Sequence, residues 1–148
     1  MTDWLRRNLV ESFQLPTPAV EWLCQLFDAI QVFDDLTDKD REVGQNELNA
    51  VIWYTLVSLP QNPFYQAHSP VLGPLIATSV MKWHGANKVE SENNPGPTSF
   101  AWRAGFYDIV LMVIALVHGH QMASANAHRV IALYGEDYAE YLKEFNHA

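Results

Sequence analysis

The chain has 148 residues and a net charge of −8, and 49% of its residues are hydrophobic and 12% aromatic. This composition is typical of a globular domain and excludes a disordered chain. An acidic chain has too few Lys and Arg residues to neutralise phosphates, which argues against nonspecific nucleic-acid binding. The longest apolar run, residues 109–117, falls well short of the roughly 20 residues that a membrane-spanning helix needs. With no visible signal peptide, we expect a cytoplasmic protein of one domain, residues 1–148, without a nucleic-acid or membrane partner.

Apolar residues recur at steps of three and four along most of the chain, and almost no segment alternates as a strand does. We therefore predict an all-α fold, a single-domain helical bundle of about five helices. Pro16, Pro60, Pro63 and the segment 93–97 mark breaks between helices. The predicted long helices cover about 18–33, 38–59, 74–92 and 98–134, with short helices over 4–13 and 136–145 and an ordered connection over 60–73. The fourth long helix is expected to be largely buried and bent near Gly119.

The acidic segment 34–40 has a structural interpretation. Thr37 precedes Asp40 by three residues and an apolar run follows, which is an imperfect capping box at the start of a helix. Asp38 would then lie in the first turn, where the helix dipole favours negative charge. Asp34 and Asp35 would lie in the turn before it. This interpretation accounts for every acid without a metal.

The same residues also have a chemical interpretation. Asp34, Asp35 and Asp38 form a D-D-x-x-D cluster, and three carboxylates within five residues suit Mg²⁺, which prefers oxygen ligands. Over about ten residues, 29–38 resemble the second aspartate-rich motif of trans-prenyl diphosphate synthases. The resemblance implies that these acids bind Mg²⁺ and a substrate diphosphate, and it requires all three on one continuous helix. A helix start at Thr37 would separate them, so the position of Thr37 discriminates between the two interpretations.

A second set of polar residues recurs at helical spacing on three predicted helices. Arg103 is a candidate partner for Glu90 or Asp108, and Asp108 lies on a face of small residues that favours a close interface or a cavity. These groups predict either a pocket walled by tryptophans, including Trp102, or a buried polar network that fixes helix register. The candidate residues are Asn49, Trp53, Trp83, Asn87, Glu90, Arg103 and Asp108.

Two functions follow from these patterns. The first is a binding protein that docks on a protein partner or on itself, without catalysis and without a cofactor. Its acidic, helical composition resembles that of small accessory proteins of phages and bacteria, including immunity-type inhibitors of basic nucleases. The alternative is a divalent-metal-dependent enzyme or ligand binder that acts on a phosphate-bearing substrate through Asp34, Asp35 and Asp38, with Mg²⁺ as its cofactor.

Overall fold

The structure is a computed structural model that describes residues 2–39 and 41–145. All regular elements within these residues are helical, which confirms the predicted all-α class. The described residues contain more helices than the roughly five predicted, because predicted long helices are interrupted. The elements are α1 (Thr2–Arg7), α2 (Thr17–Asp38), α3 (Gln45–Trp53), α4 (Leu59–Gln61), α5 (Pro63–Ser91), α6 (Pro97–Trp102), α7 (Gly105–His118), α8 (His120–Ile131) and α9 (Tyr138–Lys143), with π-helical segments at Asn8–Ser12 and Tyr54–Ser58.

The described residues divide into two compact units, with the boundary between Ser69 and Pro70 inside α5. The first unit contains α1 to α4, and the second contains α6 to α9. A single domain over residues 1–148 stays a prediction. The acidic charge is unequally shared, since residues 1–69 carry a net charge of −6 and residues 70–148 a net charge of −2.

In the first unit, α2 provides most of the buried apolar surface. The apolar residues at steps of three and four along this helix are Val20, Leu23, Phe27, Ile30 and Phe33; the first three are buried, whereas Phe33 is 41% exposed. Trp22 is also buried, and its ring stacks on that of Tyr65 at 5.4 Å between centroids. Burial of aromatic and aliphatic side chains is the main stabilising contribution to such a unit.

The helix predicted over 38–59 begins later than expected. Residues 41–44 are not helical, and α3 starts at Gln45 after Gly44, whose extended backbone (φ −71°, ψ 157°) marks the helix start. Gly44 therefore precedes the helix and does not weaken its interior. The same stretch continues from α3 through the π-helical segment into α4.

The connection predicted over 60–73 is largely helical. Asn62 caps α5, because its Oδ1 accepts hydrogen bonds from the backbone N–H groups of Phe64 (2.8 Å) and Tyr65 (3.1 Å). Pro63 then occupies the first helical position, where its missing N–H costs nothing. The helix also passes through Pro70 and Pro74. Helix interiors disfavour proline, so this continuity could not be expected from sequence rules.

The long helix predicted over 98–134 is divided into α6, α7 and α8. Gly119 separates α7 from α8 with a φ of +94°, a conformation that favours glycine, so the helix ends where a bend was predicted. A further break at Arg103 and Ala104, which was not predicted, separates α6 from α7. Among residues 105–117 of α7, only Asp108 is exposed, so this part of the predicted helix is largely buried.

Candidate functional site

The structure corrects the predicted helix start at Thr37. α2 continues to Asp38, and the Thr37 hydroxyl donates to the backbone carbonyl of Phe33 at 2.9 Å, four residues earlier. Thr37 is therefore inside a helix rather than capping one. Lys39 ends α2 in the left-handed conformation (φ 57°). Asp38 consequently lies in the last turn, where the helix dipole disfavours negative charge.

The continuous helix places Asp34, Asp35 and Asp38 on α2, as the chemical interpretation requires. Residues at i and i+4 are neighbours on a helix surface, which applies to Asp34 and Asp38. However, residues 2–39 and 41–145 contain no group of three or more His, Cys, Asp or Glu side chains arranged to hold a metal ion. Asp40, the predicted partner in the capping box, lies outside the described residues.

Arg41 joins the end of α2 to the start of α3. Its Nε donates to Asp35 at 2.8 Å, and its Nη1 donates to Glu47 at 3.0 Å, while Nη2 makes a second hydrogen bond to Glu47. This hydrogen bond and the charge of Arg41 lower the pKa of Glu47. The guanidinium is 46% exposed. Asp35 thus has a structural partner, which neither interpretation of the acidic segment predicted.

An open pocket of about 300 Å³ lies between α2 and α3. The buried side chains of Phe27, Val32 and Val51 contribute apolar surface to it. Acidic groups from both helices line it as well, together with an aromatic ring and the Arg41 guanidinium. The full lining is Phe27, Asp28, Gln31, Val32, Arg41, Glu47, Ala50, Val51 and Tyr54.

The predicted residues on α3 are exposed. Asn49 accepts a hydrogen bond from Gln45 at 2.8 Å on the same helix. Trp53 is 60% exposed, and Ile52 and Leu56 are 46% and 72% exposed. Val51 faces the core, so Ile52, Trp53 and Leu56 lie on the opposite side of this stretch. We call these three residues and Asn49 the α3 face.

In the second unit, three of the predicted residues do come together. Arg103 Nη1 donates to Glu90 at 2.8 Å and to Asn87 at 2.6 Å. The side chains of Arg103 and Glu90 are only 10% and 9% exposed. The predicted pairing of Arg103 with Glu90 is therefore confirmed. Of the two arrangements predicted from the sequence, a pocket and a buried polar network, these side chains form the second.

The network extends to two residues that the sequence did not single out. The Tyr141 hydroxyl donates to the second carboxylate oxygen of Glu90 at 2.7 Å, and it lies 2.6 Å from the hydroxyl of Ser99. Each of these hydroxyls has one proton, and the Ser99 hydroxyl also lies 3.0 Å from the backbone carbonyl of Gly96, which accepts from it. The backbone N–H of Gly96 in turn donates to Ser99 at 3.0 Å. The result is a connected set of buried hydrogen bonds that ends on the Glu90 carboxylate, and connected hydrogen bonds strengthen one another. We call Ser99, Tyr141, Glu90, Arg103 and Asn87 the polar network.

Burial and the contact with Glu90 raise the pKa of Tyr141 to about 12, against the opposing effect of the Ser99 donor. Burial likewise raises the pKa of Tyr107 to about 12. The ring of Tyr141 stacks on Phe100 at 5.2 Å. These shifts result from burial and hydrogen bonding, and they make the phenols harder to ionise. No spacing rule connects Tyr141 to Ser99, because they are 42 residues apart.

The remaining candidate residues do not join the polar network. Asp108 does not point into a cavity: its carboxylate is 52% exposed and pairs with Lys82 at 3.1 Å. Trp102 is 45% exposed, and Trp83 is half-buried with its ring 5.8 Å from that of His84. Asn49 and Trp53 belong to the first unit, whereas the other predicted residues of this set belong to the second.

Cys24 is not placed as a nucleophile. It is 1% exposed, and burial raises its pKa to about 11. The thiolate is the reactive form, so this environment disfavours reaction. Cys24 therefore packs as a small buried apolar residue.

No protein-family model matches this sequence, and no curated protein or solved structure shows significant similarity to it. Across residues 2–39 and 41–145, none of the helices combines the length and the apolar character needed to cross a membrane.

Proposed function

We propose that the chain is a small acidic binding protein that docks on a protein partner in the cytoplasm and is not an enzyme. The observation that carries the proposal is the α3 face. Single exposed apolar residues are ordinary on protein surfaces. Three large ones on one side of a helix, including a tryptophan, are typical of a protein contact.

The polar network supports the same proposal. Its acid and its guanidinium are bound to each other and to Tyr141 and Asn87. A general acid or base needs access to a substrate atom, whereas these groups are about nine-tenths buried. The polar network therefore holds α5, α6 and α9 together, whereas Ile52, Trp53 and Leu56 of the first unit are accessible to a partner.

The proposal is tested by affinity capture from a bacterial lysate with quantitative mass spectrometry, followed by reconstitution with the purified partner. Trp53→Ala is compared with Trp102→Ala, a matched control because Trp102 is 45% exposed in the second unit. The proposal predicts a partner that wild type and Trp102→Ala bind with equal Kd and that Trp53→Ala binds at least about tenfold more weakly, as expected for an aromatic residue at the centre of an interface. If Trp53→Ala and Trp102→Ala lose partner affinity equally, or if neither variant loses any, the role of the α3 face is refuted.

A second candidate function is metal-dependent chemistry on a phosphate-bearing substrate. It is favoured by one observation, the continuity of α2 through Asp38. The test is a thermal-shift titration with Mg²⁺, Mn²⁺ and Zn²⁺, with and without diphosphate, on wild type, Asp34→Asn and the exposed-acid control Glu11→Gln. A metal-induced rise in Tm that is lost in Asp34→Asn but retained in Glu11→Gln would support a metal site. Absence of any shift would remove this candidate.

A further inference from the structure

The pocket between α2 and α3 joins an apolar wall to an acidic rim. Phe27, Val32 and Val51 are buried, and Asp28 and Glu47 bring two carboxylates to its lining. Tyr54 and Gln31 add an aromatic ring and an amide. An arginine side chain has the matching chemistry, because its stem is apolar while its planar guanidinium binds carboxylates and stacks on aromatic rings.

The chain itself shows that carboxylates at this place bind a guanidinium. Arg41 lines the same pocket and binds Glu47 through both of its terminal nitrogens. One guanidinium does not neutralise the surroundings, since residues 34–47 contain six acidic and two basic side chains. A net charge of −4 in this segment attracts a cationic partner and accelerates its association.

Val51 lines the pocket and lies on the side of α3 away from the α3 face, but one residue of that face, Trp53, adjoins the rim of the pocket. Ala50 lines the pocket and is exposed, and Trp53 follows it three residues later on the same helix. Residues at this spacing are neighbours on a helix surface. Ala50 therefore connects the pocket to Trp53, so that one partner can contact an apolar residue and a charged pocket, a usual combination in a protein interface.

We propose that the partner is a basic protein, one of whose arginine side chains enters the pocket between α2 and α3 while an apolar patch covers Trp53. This inference rests on the proposed function and names the chemistry of the partner. A second copy of the chain is the weaker occupant, because a symmetric contact would bring the same acidic segment of both copies together, and like charges across an interface oppose association.

The first experiment uses N-acetyl-arginine methylamide as the probe, titrated into the ¹⁵N-labelled full chain and followed by NMR. The matched control probe is N-acetyl-citrulline methylamide, which has nearly the same shape and no charge. We expect saturable shifts at the amides of Gln31, Glu47 and Tyr54 with the arginine probe, and binding about tenfold weaker with citrulline because a charge-assisted contact is lost.

Two variants locate the effect. Ala50→Leu fills the pocket without changing its charge, and Asp28→Asn removes one carboxylate; both should abolish the shifts. The controls Ala125→Leu, at an exposed position of α8, and Glu11→Gln, at an exposed acid of the first unit, should leave them unchanged. Shifts that respond equally to all four variants, or equally to both probes, would overturn the proposal.

The result separates this inference from the proposed function. If Trp53→Ala abolishes partner binding but Ala50→Leu and Asp28→Asn do not, the chain is a binding protein whose pocket does not bind an arginine of the partner. If analytical ultracentrifugation of the chain alone shows a dimer that Trp53→Ala dissociates, the occupant is a second copy and the basic partner is overturned.

Discussion

Arg103 and Arg41 each bind a glutamate, and the surroundings of the two pairs differ. Arg103 and Glu90 in the second unit are 10% and 9% exposed, while Arg41 and Glu47 in the first unit are 46% and 38% exposed. Buried ions depend on their partners for the solvation that water no longer provides, whereas exposed ions retain most of it. The same chemical pair therefore stabilises the fold in one unit and shapes an accessible charged surface in the other.

The largest loss of unfolding free energy is expected when the buried Arg103–Glu90 pair is broken. Arg103→Met removes the partner of Glu90 and leaves a buried carboxylate with one fewer cation. We expect a loss of about 3–5 kcal/mol in the free energy of unfolding, measured by urea denaturation at neutral pH. A loss no larger than that of Arg41→Met would show that burial does not distinguish the two pairs.

A smaller effect is expected when the hydrogen-bond chain is shortened. Tyr141→Phe preserves the ring that stacks on Phe100 but removes the hydroxyl between Ser99 and Glu90. We expect a loss of about 1–3 kcal/mol, because a buried carboxylate oxygen loses its donor. Urea denaturation measures this too, with Tyr138→Phe as the control, since Tyr138 also stacks on Phe100 but is 37% exposed. Equal losses in the two variants would contradict the role assigned to the network.

The raised tyrosine pKa values predict a loss of stability at alkaline pH. Tyr107 and Tyr141 titrate near 12 in the folded chain, above the value of about 10 expected when unfolded. Between these values the folded state holds more protons, so the free energy of unfolding is fully retained below pH 10 and falls as pH rises toward 12. Absorbance at 295 nm should show delayed ionisation, and Tyr141→Phe should remove one delayed phenol. Full ionisation near pH 10 in the folded protein would contradict this prediction.

The smallest change in unfolding free energy is expected when the exposed Arg41–Glu47 pair is broken. Arg41→Met removes the contacts with Asp35 and Glu47, but all three side chains reach water. We expect the unfolding free energy to change within experimental error. The lowered pKa of Glu47 should return toward its ordinary value, because its largest cause is the hydrogen bond from Arg41. NMR titration of the glutamate side chains would detect this, and an unchanged Glu47 pKa would contradict the assigned contact.

The helical class and most of the apolar face of α2 could be predicted because Val20, Leu23 and Phe27 recur at helical spacing, although Phe33 continues that spacing and is 41% exposed. The break at Gly119 also followed from the residue type. The end of α2 could not, since a threonine can cap a helix or bond to the carbonyl four residues earlier inside one, and Thr37 does the latter. In the polar network, the Arg103–Glu90 pair was expected from opposite charges, but Ser99 and Tyr141 meet only through folding over 42 residues.

The proposal separates the recognition surface of the first unit from the structural network of the second. Its most direct test is the Kd of one purified partner for Tyr141→Phe and Trp53→Ala, measured at a temperature at which both variants are folded. The account predicts wild-type affinity for Tyr141→Phe and a loss of about tenfold or more for Trp53→Ala. Weakened binding in Tyr141→Phe with unchanged binding in Trp53→Ala would place recognition at the polar network and contradict the account.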